Sequence, residues 1–452
     1  MKKPQIENTK KKKITPILAQ LRSFAFWTLD TLKGSPVRKN LLEIEYILNN
    51  QNAQDVKKMR EDKVRALLNH AVSTTPFYKS SKKSKSLSDF PVINKKIISK
   101  DINRFFSSEY VDKNNHKVTT SGSTGTPFSV YHNKSKSYRN TADTLFFSKK
   151  AGFTLGTKLF YLRLWNSYYK KSSLLAWLQN IEQANVLDLS NEAYMQKLIT
   201  GVAKQERQGW LGYASGLEAI CRYLDNKNAS PIKNNITSII AMSEALNNYT
   251  RESLHKYFGV HVVSRYSNVE NGIIAQQCVN GGSEFYINWA SYHIEILNFT
   301  SDTPVEYGEL GRIVVTDLHN LAMPIIRYDT GDVGAIEKVT INGKQHMVFT
   351  KIEGRKMDMI MNTKGEIVSS FIAISITAFN KLKQIQLIQE DKKRYTIKLN
   401  VEEGFEDEVK VLKQYKKYLG QDAIINIDYV DEIPMLASGK RKATVNKYLA
   451  TG

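Results

Sequence analysis

Through the middle of the chain, strand-type runs alternate with amphipathic helical stretches, and this rhythm restricts the fold more than any other feature. Lys158–Leu164, Ser238–Met242 and Val260–Ser264 are short apolar runs, whereas Ser135–Lys150, Glu192–Gln208 and Asn247–Phe258 carry apolar residues at helical spacing. Strands buried on both faces read as such runs, and a helix between two of them supplies the crossover that parallel pairing needs. The pattern predicts an α/β fold with mostly parallel sheets. From Glu284 to Val339 the text becomes β-rich: Glu284–Trp289, His293–Asn298 and Gly311–Asp317 are separated by turn signals, which predicts hairpins beside the main sheet. After Thr350 a small α+β unit follows, with strands near Gln384–Glu390, Arg394–Val401 and Ile424–Tyr429 and a helix over Phe405–Leu419. The expected division is a basic, helical N-terminal extension over 1–75, a large domain over 76–352 and a small, mobile C-terminal domain over 353–452.

In the first block, Asn40–Asn49 and Asp55–Val72 are amphipathic, and Pro76 ends the block. Lys and Arg total 65 against 44 Asp and Glu, a net charge of +21, and part of the excess lies in residues 1–40, where Glu7 and Asp30 are the only acids. No zinc finger, basic zipper or basic–aromatic interleaving accompanies it, so a nucleic-acid partner is not expected. Ile17, Leu18, Leu21, Phe24, Ala25, Leu29 and Leu32 recur at helical spacing behind Lys10–Lys13. Such a stretch either docks its apolar face on the large domain or meets an anionic membrane surface or a partner. Arg22 and Asp30 interrupt the run, which is therefore neither a spanning segment nor a secretory signal. A cytoplasmic protein follows, with a peripheral place on the inner face of the membrane as the option the basic helix adds. Two cysteines, Cys221 and Cys278, are too few for a disulfide framework, and the eight histidines show no metal-binding spacing.

Residues 119–127 read T-T-S-G-S-T-G-T-P. Gly122 and Gly125 let the backbone approach a ligand, while Thr119, Thr120, Ser121, Ser123, Thr124 and Thr126 offer hydroxyls suited to phosphate oxygens. No lysine follows the second glycine as a Walker loop requires. Four further segments follow in order: Tyr266-Ser267-Asn268-Val269-Glu270, Tyr328-Asp329-Thr330-Gly331-Asp332, Gly354-Arg355-Lys356-Met357-Asp358 and Ser438-Gly439-Lys440. Together they resemble the acyl-adenylate-forming enzymes. Thr75-Pro76-Phe77-Tyr78, Phe90-Pro91-Val92-Ile93-Asn94-Lys95, Ser243-Glu244, Gln277-Cys278 and Pro324-Ile325-Ile326-Arg327-Tyr328 resemble the phenylacetate-CoA ligase and CapK branch, which includes coenzyme F390 synthetase-like proteins. The likeness covers roughly residues 60–450.

The resemblance implies ATP and Mg²⁺ as cofactors, a small carboxylic or amino acid as substrate, and CoA, a carrier protein, an amine or a sugar hydroxyl as acceptor. It implies that Thr119 through Thr126 hold the β- and γ-phosphates, that Glu270 helps hold Mg²⁺ and that Tyr266 flanks the adenine, with Ser243, Glu244 and Asn268 beside the nucleotide. Asp332 would accept the ribose hydroxyls. Arg355 would lie near ribose and phosphate, and Lys440 would swing onto the α-phosphate and substrate carboxylate. Capsule or surface-polysaccharide biosynthesis is the biological setting it suggests. Substrate selection is expected around Trp165, Tyr213–Gly216 and Met242.

Three positions depart from the family pattern: Val269 replaces a hydroxyl residue, Met357 occupies the hinge position, and 362–366 replaces a more regular glycine segment. These leave adenylation intact and put CoA as acceptor in question. The rival readings are an aryl-acid CoA ligase and a catalytically silent nucleotide-binding scaffold.

Overall fold

The computed structural model describes residues 16–83, 86–120, 128–165, 170–204, 206–279, 282–341, 343–355, 359–368, 379, 381–434 and 442–448. Three helices open it, α1 (Ile17–Leu32), α2 (Pro36–Asn49) and α3 (Gln54–Thr74), and a short α4 (Lys95–Lys100) follows. Val37, Ile44, Ile47 and Leu48 of α2 bury against Phe146 and Phe147 of α5 (Lys134–Lys150), and Leu67 and Ala71 of α3 pack on Tyr78, Phe90 and Ile325.

Strands β1 (His116–Thr120) and β2 (Phe128–His132) pair antiparallel with Thr120 opposite Phe128, the described residues that flank the hydroxyl-rich segment in sequence. Its residues 121–127 lie outside the described residues. Among the described residues, the main sheet has eleven strands. Its parallel half contains β3 (Lys158–Arg163), β4 (Ile181–Asn185), β5 (Gln208–Tyr213), β6 (Ile236–Met242) and β7 (Val262–Asn268) in the order β7-β6-β5-β3-β4. Helices α6 (Ser173–Leu178), α7 (Glu192–Lys204), α8 (Ala214–Asn226) and α9 (Asn248–Phe258) connect these strands. The aliphatic and aromatic faces of α7, α8 and α9 close over Trp210, Leu162 and Ile239 of the parallel half.

The β-rich segment does not form separate hairpins beside this sheet but continues it. Strands β8 (Gly272–Gln277), β9 (Phe285–Ile287), β10 (Tyr292–Leu297), β11 (Gly311–Asp317), β12 (Tyr328–Ile341) and β13 (Lys344–Arg355) run antiparallel outward from β7 in the order β8-β9-β13-β12-β11-β10. The physical reason is edge satisfaction: β7 would otherwise present unpaired backbone groups, and β8 covers them through a tight turn.

A second departure lies at residue 208. The helix expected over Glu192–Gln208 stops at Lys204, and Gln208 begins a central strand.

Residues 359–448 build their own core around Ile385, Leu387, Tyr395, Ile397, Val411 and Tyr415. A hairpin of β14 (Ile360–Met361) and β15 (Ile367–Val368) accompanies a four-stranded sheet. That sheet runs in the order β18-β17-β16-β19, with β16 (Leu382–Gln389), β17 (Arg394–Val401), β18 (Ile424–Tyr429), β19 (Thr444–Asn446) and helix α10 (Glu408–Leu419). Among the described residues, no helix is long and apolar enough to cross a membrane.

Candidate active site

Parallel strands end together, and in open α/β sheets ligands bind beyond those carboxyl ends. Here β5 ends at Tyr213 and β6 at Met242, followed by Ser243-Glu244; β7 ends at Asn268, two residues before Glu270. The same edge receives the start of β12 from the antiparallel half. The Tyr266 hydroxyl on β7 donates to Asp332 Oδ2 on β12 at 2.7 Å, and Tyr328 OH donates to Glu270 Oε1 at 3.2 Å. Two phenols thus hold two carboxylates, and both tyrosines lie in the field of both acids. Burial first, and then the carboxylates, push both phenol pKa values well above the ordinary range, so the phenols stay protonated as donors.

Local chemistry explains why Asp332, and not its neighbour, is presented. Asp329 is spent on structure: Arg312 Nη1 pairs with its Oδ2 at 2.8 Å, and its Oδ1 accepts the Gly331 amide at 2.9 Å. Gly331 has φ +79°, a conformation that a side chain would strain. A register shift between Asp332 and Val333 against β13 then re-aims the strand at that point. Arg355 lies directly across the ladder from Asp332 by backbone register.

The turn carrying Glu270 is held from beneath. Asn268 Oδ1 accepts the Asn271 amide at 2.8 Å, so this oxygen, expected beside a nucleotide, is used to shape the turn. His132 Nε2 donates to the Glu270 carbonyl at 2.8 Å, and Tyr292 OH donates to the Asn271 carbonyl at 2.6 Å. Lys136 Nζ donates to Tyr292 OH and forms a fully buried ion pair with Asp317 at 2.7 Å. Arg139 extends the network to Ser291, Glu43 and the Ala290 carbonyl. Burial depresses the His132 pKa to about 4, with Lys136 adding to the effect, so the imidazole is neutral. Sequence reading missed this lattice because its members are scattered over separate elements and carry no motif.

Ser243 adopts φ +71°, and Glu244 Oε2 accepts the Ser215 amide at 2.9 Å, capping the N-terminus of α8 with a negative charge. Tyr213 and Met242 are buried at the same edge, and Trp165 follows β3, its indole nitrogen donating to the Tyr161 carbonyl. The branch-type segments assemble beside β12. Tyr78 OH reaches the Pro324 carbonyl at 3.2 Å, while Ile93 pairs with Arg327 and Asp329 through its backbone. Arg327 forks onto both oxygens of Glu295 and onto the Phe90 carbonyl, a structural role. Gln277 likewise braces Ser264 and Arg251.

Thr119 Oγ1 contacts Ser129 Oγ at 2.9 Å across the β1–β2 ladder, where Thr120 forms the last pair. Ser121, Gly122, Ser123, Thr124, Gly125, Thr126, Met357 and Lys440 lie outside the described residues, as does the side chain of Arg355. Val269 is exposed at the turn. Residues 362–366 form a hairpin turn in which Asn362 Oδ1 accepts the amides of Lys364 and Glu366. Cys221 is buried, and burial raises its thiol pKa, as it does for half-buried Cys278.

Among the described residues, no cluster of three or more His, Cys, Asp or Glu could hold a metal by itself. Mg²⁺ accompanying ATP needs only one or two protein carboxylates beside phosphates and water, and Glu270 fits that requirement.

Residues 359–447 match the CapK C-terminal domain. Phenylacetate-coenzyme A ligase of Escherichia coli (strain K12) is 25% identical over 153 residues, which are 33% of this chain and 35% of that protein, so the match spans about a third of the relative's length. Among solved structures, 2-hydroxyisobutyryl-CoA ligase in the postadenylation state with 2-HIB-AMP superposes with a TM-score of 0.69 at 12% identity, covering 88% of this chain and 91% of that one. ATP-bound MatB from Rhodopseudomonas palustris gives 0.52 at 16% identity, covering 72% and 66%. The chain is thus similar over part of its length to phenylacetate-coenzyme A ligase, matches the CapK C-terminal domain over residues 359–447, and shares the fold of these solved ligases.

Proposed function

We propose that the chain is an ATP-dependent ligase that activates a small carboxylic or amino acid as its acyl-adenylate. The substrate carboxylate attacks the α-phosphorus, a new O–P bond forms, and the bond to the β-phosphate oxygen breaks with release of pyrophosphate. The observation that carries this reading is the paired presentation of Glu270 and Asp332 by Tyr328 and Tyr266 at the carboxyl edge of the parallel strands. Asp332 accepts the ribose hydroxyls, Tyr266 flanks the adenine, and Ser243 and Glu244 border it. Glu270 holds Mg²⁺, which neutralises phosphate charge when bound. The loop 119–126 cradles the β- and γ-phosphates, and Arg355 and Lys440 stabilise the charge that develops at the α-phosphate. His132, Lys136 and Tyr292 keep the Glu270 turn rigid.

The likeness to phenylacetate-coenzyme A ligase favours CoA as acceptor, with an aryl acid as one substrate class. An amine, a sugar hydroxyl or a carrier protein is the alternative that rests on Met357. The CapK domain is what supports a place in capsule or surface-polysaccharide biosynthesis, and the basic N-terminal stretch is what supports a cytoplasmic place close to the membrane. Exchange of labelled pyrophosphate into ATP, screened over carboxylic acids, tests the reading. Acid-dependent exchange is expected, and ATP binding without exchange for any acid would favour the silent scaffold.

A further inference from the structure

The N-terminal helix docks, but not by its apolar stripe. Ile17, Leu18, Leu21, Phe24, Leu29 and Leu32 are 56–77% exposed, whereas Ala19 and Asp30 are buried and Phe26 and Trp27 pack on the core. This corrects the expectation that docking would cover the apolar side. The seat is specific. Asp30 caps α2 by accepting the amides of Val37 at 2.9 Å and Arg38 at 3.0 Å, and a Cβ at Gly156 would stand 2.1 Å from the Ala19 carbonyl oxygen. Rotating α1 to bury the stripe would break both contacts.

A second element extends the exposed surface. Leu174, Trp177 and Leu178 of α6 are 53–68% exposed, and the Arg22 guanidinium lies 5.8 Å from the centre of the Trp177 ring, which brings α6 beside α1. Two helices separated by more than a hundred residues thus present one apolar ridge. Its described borders are cationic: Lys33 ends α1, and Lys170 and Lys171 precede α6. Asp30, the sole acid of α1, is buried and turned onto the α2 amides rather than onto the exposed stripe.

We infer that the α1–α6 ridge seats the protein on an anionic lipid bilayer, with Leu18, Leu21, Phe24 and Trp177 entering the interface and the lysines meeting lipid phosphates. An apolar ridge with a basic border is complementary to such a surface, which accepts protruding side chains without a preformed pocket. A second copy of the chain would oppose two surfaces of the same sign. The inference deepens the membrane-side part of the proposed function and is independent of its nucleotide chemistry.

Flotation of the full chain with vesicles of phosphatidylcholine, alone or mixed with phosphatidylglycerol, tests it. The chain is expected to float with the mixed vesicles and not with the neutral ones. Combined Leu18→Ser, Leu21→Ser and Trp177→Ser should weaken partitioning on the order of 10²-fold, since each removes a large apolar side chain from the interface. Replacing Lys33, Lys170 and Lys171 by Gln should cost up to about fivefold per charge at low salt and little at high salt. Wild-type protein that stays unbound at low salt, or a triple variant that floats equally well, overturns the inference. A dimer or bound protein partner lost in the triple variant, without lipid binding by the wild type, would assign the ridge to protein contact instead. Titration with ATP in the same variants separates this result from the adenylation reading, because none of these residues lies at the nucleotide edge.

Discussion

Two polar regions meet at the turn 268–272, and they treat charge in opposite ways. Beneath it, Lys136 is spent on Asp317 in a fully buried pair, and buried Arg139 on partly exposed Glu43, Ser291 and a carbonyl, so these charges are matched. Above it, Glu270 and Asp332 each accept a hydrogen bond from a neutral phenol, which orients the carboxylate. The lower region builds a platform, and the upper presents two oriented carboxylates at the strand edge. Mutations should therefore separate: below the turn they cost stability, above it they cost binding or rate.

The largest effect is expected below. Lys136→Met leaves Asp317 charged and buried, and breaking one side of such a pair costs about 3–5 kcal/mol. A lowered urea midpoint is the readout; an unchanged one would show that the pair contributes no stability. Lys440→Ala should slow pyrophosphate exchange on the order of 10²- to 10³-fold with an unchanged melting temperature, because one preorganised charge is worth about 3–4 kcal/mol at a transition state. Full activity in the purified variant would remove Lys440 from the site.

His132 gives a comparable effect through pH. Its folded pKa, about 4, lies below the ordinary histidine value. The unfolded chain therefore binds the proton first, and stability falls as pH drops from about 6.5 towards 4, with about 3 kcal/mol at stake. His132→Gln should flatten the pH dependence of the urea midpoint in that window, and an equal slope in both proteins would contradict it.

Above the turn, Asp332→Ala should raise KM for ATP roughly tenfold with a smaller change in kcat, since a ribose contact exists in ground and transition states alike. Asp329→Asn is the control and should show the smallest effect. Its partly exposed pair with Arg312 is worth about 1 kcal/mol or less. A larger KM change for Asp329→Asn than for Asp332→Ala would reverse the assignment of the two acids.

Much of this was legible before the structure. Arg394–Val401 and Ile424–Tyr429 were read with the bounds they have as strands, because β-branched runs there end at turn residues. The strand Gln208–Tyr213 was not, since Gly209 and Gly212 lower its strand propensity. Packing demands the first: a Cβ at Gly209 would stand 2.4 Å from the Phe153 ring. Spacing identified the apolar stripe of α1, yet which face docks depends on Asp30 reaching the amides of a following helix, a contact that periodicity does not encode. The resemblance already singles out Asp332 in the Tyr–Asp–Thr–Gly–Asp segment. That Asp329 is spent on structure depends on Arg312, on another strand, which the motif does not encode.

The central claim is that the edge bearing Glu270 and Asp332 is a nucleotide site. Calorimetric titration of ATP with Mg²⁺ into the wild-type chain, Glu270→Gln and Asp332→Ala tests it most directly. The account predicts saturable binding by the wild type, a loss of the Mg²⁺-dependent part in Glu270→Gln, and a roughly tenfold weaker affinity in Asp332→Ala with the fold intact. Wild-type affinity in both variants would contradict it.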